Sequence, residues 1–338
     1  MSEIRQDQAT KRWVIIATER AKRPQDFAAP QGQDQPAPEY SPECPFCLGN
    51  ESKTPAEVLA YRDPPGPPNS PGWQVRVVPN RFAALRPEGE VQVRDRHCFT
   101  SITGVGAHEV IVESPKHNAN PATMPVEQCT LVLKAVNERF EALQHDRRLS
   151  YIALFRNHGL AAGSSLTHPH TQLIATPIAP TQVRLEIEEA RRHYDDQIHC
   201  VYCEVMDRER EAGKRMLLET DSFCVFEPFA SRGAFETWVV PKEHAAMLVL
   251  PDVSDIEPLA RVLRTTLGAI YRALGDPDYN LVLHEAPLRD SCEDYYHWHI
   301  EILPRLATQA GFELGTGIWI NTAMPEESAA YLRDFISE

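Results

Sequence analysis

The chain has no run of apolar residues approaching the roughly 18 that a membrane span requires. Its opening, Met-Ser-Glu-Ile-Arg-Gln-Asp, has no apolar signal core. No membrane partner is expected, and a cytoplasmic location is. Positive charge is scarce as well: 34 Lys and Arg stand against 48 Asp and Glu, a formal net charge of −14. This disfavours nucleic acid as a general partner, whereas a small anionic substrate needs only a local positive field. There is no Gly-x-Ser-x-Gly elbow and no Gly-x-x-x-x-Gly-Lys phosphate loop. Cysteine is not scarce. Eight of them in a reducing compartment point to metal ligation rather than disulfides.

The 338 residues suffice for two domains or for one built of two similar halves. Alternation and apolar composition predict strands at 11–18, 73–78, 108–113 and 151–155, with Pro-rich loops at 28–43 and 64–71. Val126, Cys129, Val132, Val136, Phe140 and Leu143 recur at helical spacing. The second half repeats this order. It has a strand at 235–240, a helix at 256–274 with Leu259, Val262, Leu263, Leu267 and Ile270 on one face, and strands at 280–283 and 297–303. Strand, helix, strand, strand thus occurs twice, the mark of an internal duplication.

Residues 167–172, Thr-His-Pro-His-Thr-Gln, are the most informative stretch. On a strand, His168, His170 and Gln172 would share one face. Pro169 has no N–H to donate, so this strand is expected at a sheet edge or bulged there. The duplication gives the two histidines different roles. Cys44-x-x-Cys47, His117 and His168 recur, at nearly the same separations, as Cys200-x-x-Cys203, His244 and His297. Each set of two thiolates and two imidazoles suits tetrahedral zinc with every position filled by protein, a structural site. A redox role for Cys44-x-x-Cys47 would place it at a helix start after a strand, whereas it follows a Pro-rich loop. For the second half a rival set, Glu186, His284, His297 and His299, would suit iron or zinc. The cysteine set is preferred because it reproduces the first half.

His170 is then a free histidine beside an anchored one. A neutral imidazole is a competent nucleophile toward phosphorus near pH 7. The small-residue loop before it, with Gly163, Ser164 and Ser165, lets N–H groups and hydroxyls approach a phosphate, and Gln172 can donate to a phosphoryl oxygen. Local positive charge comes from Arg20-Ala-Lys-Arg23, which is otherwise a solvated turn, and from the group Arg76, Asn80 and Arg81. A zinc-ribbon binding module and a hydrolase are the competing classes.

In Arg20-Ala-Lys-Arg-Pro24, Cys44-Pro-Phe-Cys47, Val77-Val-Pro-Asn-Arg-Phe82, Phe155-Arg-Asn-His-Gly159, Gly163-Ser-Ser-Leu-Thr-His-Pro-His-Thr-Gln172 and His297-Trp-His299, the chain resembles the galactose-1-phosphate uridylyltransferases of the histidine-triad superfamily. The resemblance runs nearly end to end. It implies an α+β fold of two histidine-triad-like halves, each an antiparallel sheet with a packed helix: residues 1–180 catalytic, 181–338 structural. It implies ping-pong transfer of a uridylyl group from UDP-glucose to galactose 1-phosphate. His170 would be the nucleophile, Gln172 would hold the phosphoryl oxygens and Ser165 would contact phosphate. Arg20 and Arg23 would lie near substrate phosphates, and Asn80 and Asn157 in the nucleotide and sugar site. A homodimer with the active site near the subunit boundary is also implied. Two features depart from the best-known bacterial enzymes: Arg81 replaces an acidic residue beside the ribose, and Cys200/Cys203 replace a Glu/His iron site. Residues 310–321 resemble instead the plant-type ADP-glucose phosphorylases, which have two zinc sites with cysteine pairs, so uridine and adenosine both stay open.

Overall fold

A computed structural model describes residues 2–17, 23–28, 37–248 and 252–336. Arg20 lies outside the described residues. The chain opens with a hairpin, β1 (Glu3–Gln6) and β2 (Trp13–Ile16). The first half continues with β3 (Leu59–Arg62), β4 (Trp73–Pro79), a hairpin of β5 (Val93–Arg96) and β6 (Phe99–Ile102), then β7 (Ala107–Val112), α1 (Val126–Gln144), β8 (Tyr151–His158) and β9 (His170–Thr176). The second half begins with α2 (Thr181–Gln197) and α3 (Val201–Ala212). It follows with β10 (Met216–Glu219), β11 (Phe223–Phe226), β12 (Thr237–Pro241), α4 (Val253–Leu274), β13 (Tyr279–His284) and β14 (His299–Pro304). A short α5 (Gly311–Thr316), β15 (Trp319–Asn321) and α6 (Pro325–Arg333) close the chain.

Ten strands form one antiparallel sheet in the order β10-β11-β12-β14-β13-β8-β9-β7-β4-β3. The order has the same pattern from either end: a hairpin, a third strand, then the last two strands exchanged. The halves meet where β13 pairs with β8. The strand-helix-strand-strand repeat is therefore real, as β7-α1-β8-β9 and β12-α4-β13-β14.

Pleating sorts the side chains to two faces. Val77, Ile111, Leu173 and Val239 point into the core that α1 and α4 cover. The five apolar residues predicted to share one face of α4 all lie buried there. The alternate residues Val78, Val110 and Val112 pack instead around Cys44 and Cys47, and Trp238 and Val240 around Cys200. The helices thus cover one face, and the two Cys/His clusters sit on the other.

Two expectations need correcting. The strand carrying the histidines is not at an edge: β9 lies between β7 and β8. It begins at His170, so Pro169 precedes the ladder and its missing N–H costs the sheet nothing, while its carbonyl accepts a hydrogen bond from Glu113 N at 3.1 Å. Residues 181–212, unassigned from the sequence, form α2 and α3. Only Val183, Glu186 and Ala190 of α2 are buried, too few apolar positions to show a helical period. No described helix is long and apolar enough to cross a membrane.

One buried acid bears on stability. Glu227, just after β11, is fully buried, and among the described residues neither carboxylate oxygen has a hydrogen-bond partner. Burial, then the nearby Glu236 and Glu326 charges, raises its pKa well above 4.5. The unfolded chain ionises here from about pH 4.5 upward while the native state holds the proton, so native stability falls as pH rises through this range. Glu227→Gln is expected to raise Tm at pH 7–8, with the gain fading by pH 4, as thermal unfolding across pH would read. Equal Tm shifts at all pH values would contradict the assignment.

Candidate active site and the two Cys/His clusters

The site is assembled from the turn at Cys44, the start of β9 and the end of β4. Cys44, Cys47, His117 and His168 are buried, and their candidate ligand atoms all lie within 4.8 Å of one another. Cys47 Sγ is 3.5 Å from His117 Nδ1 and 3.7 Å from His168 Nδ1. The other ring nitrogen of His168 donates to Ser114 O at 2.8 Å. Burial raises the Cys44 thiol to about 11 and lowers His168 to about 4.

The carbonyl of His168 then reaches forward. It lies 2.8 Å from His170 Nδ1. A carbonyl only accepts, so Nδ1 carries the ring proton and Nε2 is left with its lone pair. Burial favours this neutral form by lowering the His170 pKa. Phe46, between the two cysteines, packs on His170 with ring centroids 5.5 Å apart. Behind the strand, Thr171 donates to Glu113 at 2.6 Å, and Glu113 is ion-paired to buried Arg156 at 3.0 Å.

A cleft of about 420 Å³ opens here, lined by Phe46, Lys53, Asn80, Arg81, Ser165, His170 and Gln172 among others. Among the described residues lining it, two are cationic and none is acidic, so the chain's overall negative charge does not extend to this cleft.

The predicted residues distribute as follows. Gln172 Oε1 is 3.0 Å from His108 Nε2, and Asn80 Nδ2 is 3.1 Å from that same nitrogen. Asn157 Oδ1 accepts from Asn280 Nδ2 at 2.7 Å, a residue of the second half. The Ser164 hydroxyl turns inward to Leu166 O at 2.8 Å, whereas Ser165 lines the cleft. Gly163, at φ +86°, turns the chain just before them and is exposed. A side chain at Gly159 is disfavoured for two reasons: φ is +80°, and a Cβ would lie 1.8 Å from the Asp278 carboxylate, which would have to move. Arg23 is exposed and outside the cleft lining. Arg76 is buried, tied to Glu57 at 2.8 Å, and cannot serve a ligand. Three participants escaped the sequence reading: Lys53, Asn280 and His108. His108 alternates in phase with Val110 and Val112, and that phase was its one available signal.

The second half holds the counterpart. Cys200, Cys203, His244 and His297 converge within 4.8 Å, with Cys203 Sγ 3.3 Å from both imidazole Nδ1 atoms. His244 Nε2 donates to Glu293 O at 2.6 Å. His297 O lies 3.2 Å from His299 Nδ1, repeating the link seen at His168 and His170. His299 is enclosed, however, stacked on Trp238 at 4.7 Å and His284 at 4.9 Å.

His284, His299 and Glu301 also lie close enough to share an ion. His284 is nevertheless bracketed by Glu186 at 3.1 Å and Glu301 at 3.0 Å, leaving neither nitrogen free. Burial alone would lower its pKa, but the two carboxylates outweigh burial and raise it to about 10. Arg12 pairs with Glu186 at 2.9 Å and Arg232 with Glu301 at 2.5 Å, balancing these charges without a metal. Of the rival set, Glu186, His284 and His299 lie together, whereas His297 faces Cys203 Sγ. A second cavity, about 340 Å³, is lined by Asp7, Glu204 and Glu209 together with Arg208 and Arg215, and by neither His299 nor Glu301.

The family described as "Galactose-1-phosphate uridyl transferase, N-terminal domain" matches residues 1–180. An ADP-glucose phosphorylase of Arabidopsis thaliana is 34% identical over 98% of this chain and 92% of its own length. A galactose-1-phosphate uridylyltransferase of Thermotoga maritima is 28% identical over 99% of this chain and 98% of its own. The crystal structure of an Arabidopsis thaliana ADP-glucose phosphorylase with bound ADP-glucose superposes with a TM-score of 0.81 at 29% identity, covering 99% of each chain. The antiparallel α+β architecture and the extent of these matches agree: the chain belongs to the galactose-1-phosphate uridylyltransferase family of nucleotidyltransferases.

Proposed function

We propose that the chain transfers a uridylyl group from UDP-glucose to galactose 1-phosphate through a covalent nucleotidyl-His170. The observation carrying this reading is the His168 carbonyl on His170 Nδ1, which leaves Nε2 as a lone pair beside an anion-compatible cleft. In the first step Nε2 bonds to the α-phosphorus and the bond to the β-phosphate oxygen breaks, releasing glucose 1-phosphate. That leaving group is a phosphate monoester with a second pKa near 6, so it needs little protonation. In the second step a phosphate oxygen of galactose 1-phosphate attacks the same phosphorus and the N–P bond breaks. Gln172 and Ser165 donate to the phosphoryl oxygens as charge develops there. Asn80, Asn157, Arg20, Arg23 and the Gly163–Ser164 backbone serve nucleotide, sugar and phosphate. Residues 1–180 form the catalytic half and 181–338 the structural half of a cytoplasmic homodimer.

A second reading keeps His170 but takes adenylyl from ADP-glucose, with phosphate as acceptor. The 34% identity to the Arabidopsis ADP-glucose phosphorylase favours it. Incubation with each nucleotide sugar labelled at the α-phosphate decides the base, and adding galactose 1-phosphate, phosphate or buffer alone decides the acceptor. Acid-labile, alkali-stable label is expected on the wild-type chain and none on His170→Gly; full labelling of His170→Gly would refute the nucleophile.

Zinc is the ion we propose for both clusters. A tetrahedral zinc with Zn–S of about 2.3 Å and Zn–N of about 2.0 Å sets sulfur and nitrogen roughly 3.5 Å apart. The observed spacings of 3.5 and 3.7 Å in one cluster and 3.3 Å twice in the other fit this value. Cys44, Cys47, His117 and His168 would hold one ion, and Cys200, Cys203, His244 and His297 the other. With no open position, each ion would stabilise the fold around its ligands. Elemental analysis is expected to find two zinc ions per chain, one in Cys200→Ser and two in Glu186→Gln. Unchanged metal in Cys200→Ser, or loss in Glu186→Gln, would return the assignment to the Glu/His set.

A further inference from the structure

His108 lies on β7 two residues before Val110, which stands opposite Gln172. Its ring has three polar neighbours. Ala84 N lies 3.2 Å from Nδ1, while Gln172 Oε1 and Asn80 Nδ2 lie 3.0 and 3.1 Å from Nε2. A backbone N–H only donates, so Nδ1 must offer its lone pair, and a neutral ring then carries its proton on Nε2. That proton has an acceptor in Gln172 Oε1. The other tautomer would set Nδ1–H against the Ala84 N–H and would require the Gln172 amide to turn round.

We infer that His108 is a positioning residue for the transfer reaction: it ties down the carbonyl oxygen of Gln172 and thereby turns the amide NH2 toward the phosphoryl group. The inference rests on the proposed reading that Gln172 donates to that group. Without it the side-chain amide could present either end, and its oxygen would repel the developing charge. Asn80 completes the arrangement. Its Oδ1 accepts from Phe82 N at 2.8 Å, so its NH2 is the end facing His108. With the proton on Nε2 this 3.1 Å contact is donor to donor and makes no hydrogen bond. That cost is offset by the two bonds that the tautomer makes with Ala84 N and Gln172 Oε1, and the Asn80 NH2 is left to a ligand in the cleft that Asn80 lines.

The second half shows that this pair of positions is matched by chemistry. Trp238 stands opposite Glu301 as Val110 stands opposite Gln172, so Glu236 occupies the place of His108. Glu301 can only accept. Its supporting group is the cation Arg232, held between Glu236 at 2.7 Å and Glu301 at 2.5 Å. A donor-bearing imidazole supports the amide in one half, and a guanidinium supports the carboxylate in the other.

The test combines ring-nitrogen NMR of the resting protein with the kinetics of His108→Phe, His108→Gln and Gln172→Ala, thermal unfolding being read alongside. The expected spectrum is that of a neutral Nε2–H tautomer at His108. His108→Phe is expected to lower kcat by about tenfold to a hundredfold, short of deleting an oxyanion donor outright, with KM for the nucleotide sugar nearly unchanged. His108→Gln, whose amide can donate to the same oxygen, should recover most of the loss. In a Gln172→Ala background, His108→Phe should cost nothing further. An Nδ1–H tautomer, an imidazolium, wild-type kcat in His108→Phe, or losses that multiply would each overturn the inference. The NMR readout needs no turnover, so a chain that accepts no nucleotidyl group refutes the proposed reaction separately from the tautomer.

Discussion

The backbone carbonyl of His168 is the joint on which the site depends. The ring of His168 is fixed behind the strand, its Nδ1 facing Cys47 Sγ and its Nε2 given to Ser114 O. Two residues on, that carbonyl takes the Nδ1 proton of His170. Tautomer, ring orientation and position of the proposed nucleophile all follow from one short stretch of backbone. An ion at the cluster would act on chemistry through this stretch and through Phe46, which packs on His170 from between the two cysteines, so a site closed to substrate can still matter to catalysis. His108 extends the same logic to the neighbouring strand, where a single proton sets the direction of the Gln172 amide.

Duplication explains why the chain carries this joint twice and needs it once. Both halves have the Cys/His cluster and the carbonyl-to-Nδ1 link. They differ in what surrounds the second histidine. His170 borders a cleft without acidic lining, whereas His299 is stacked between Trp238 and His284. Glu301 in the place of Gln172 introduces a negative charge where a phosphoryl group would sit. Arg232 and protonated His284 then neutralise that charge internally. The halves remain coupled: β13 pairs with β8, and Asn280 of the second half binds Asn157 of the first.

Much of this was legible in the sequence because covalent spacing carries it. The cysteine pairs, the recurring histidines and the apolar faces of α1 and α4 are patterns along the chain, and the structure assembles them as expected. What was hidden depends on through-space partners. Pro169 suggested an edge strand, but the ladder simply starts one residue later. Arg76 read as a possible phosphate ligand because Glu57, which neutralises it, lies across the β3–β4 hairpin. His108 read as one more residue of an alternating strand, since its importance comes from Gln172 and Ala84, far from it in sequence. The α2–α3 segment was obscured by its own polarity.

The most direct test of the account is to trap the nucleotidylated protein after mixing with UDP-glucose or ADP-glucose and determine the attachment atom by peptide mapping and phosphorus–nitrogen NMR. Because Nδ1 is occupied by the His168 carbonyl, the account predicts a phosphoramidate on His170 Nε2. Attachment at Nδ1, or at any other residue, would contradict it.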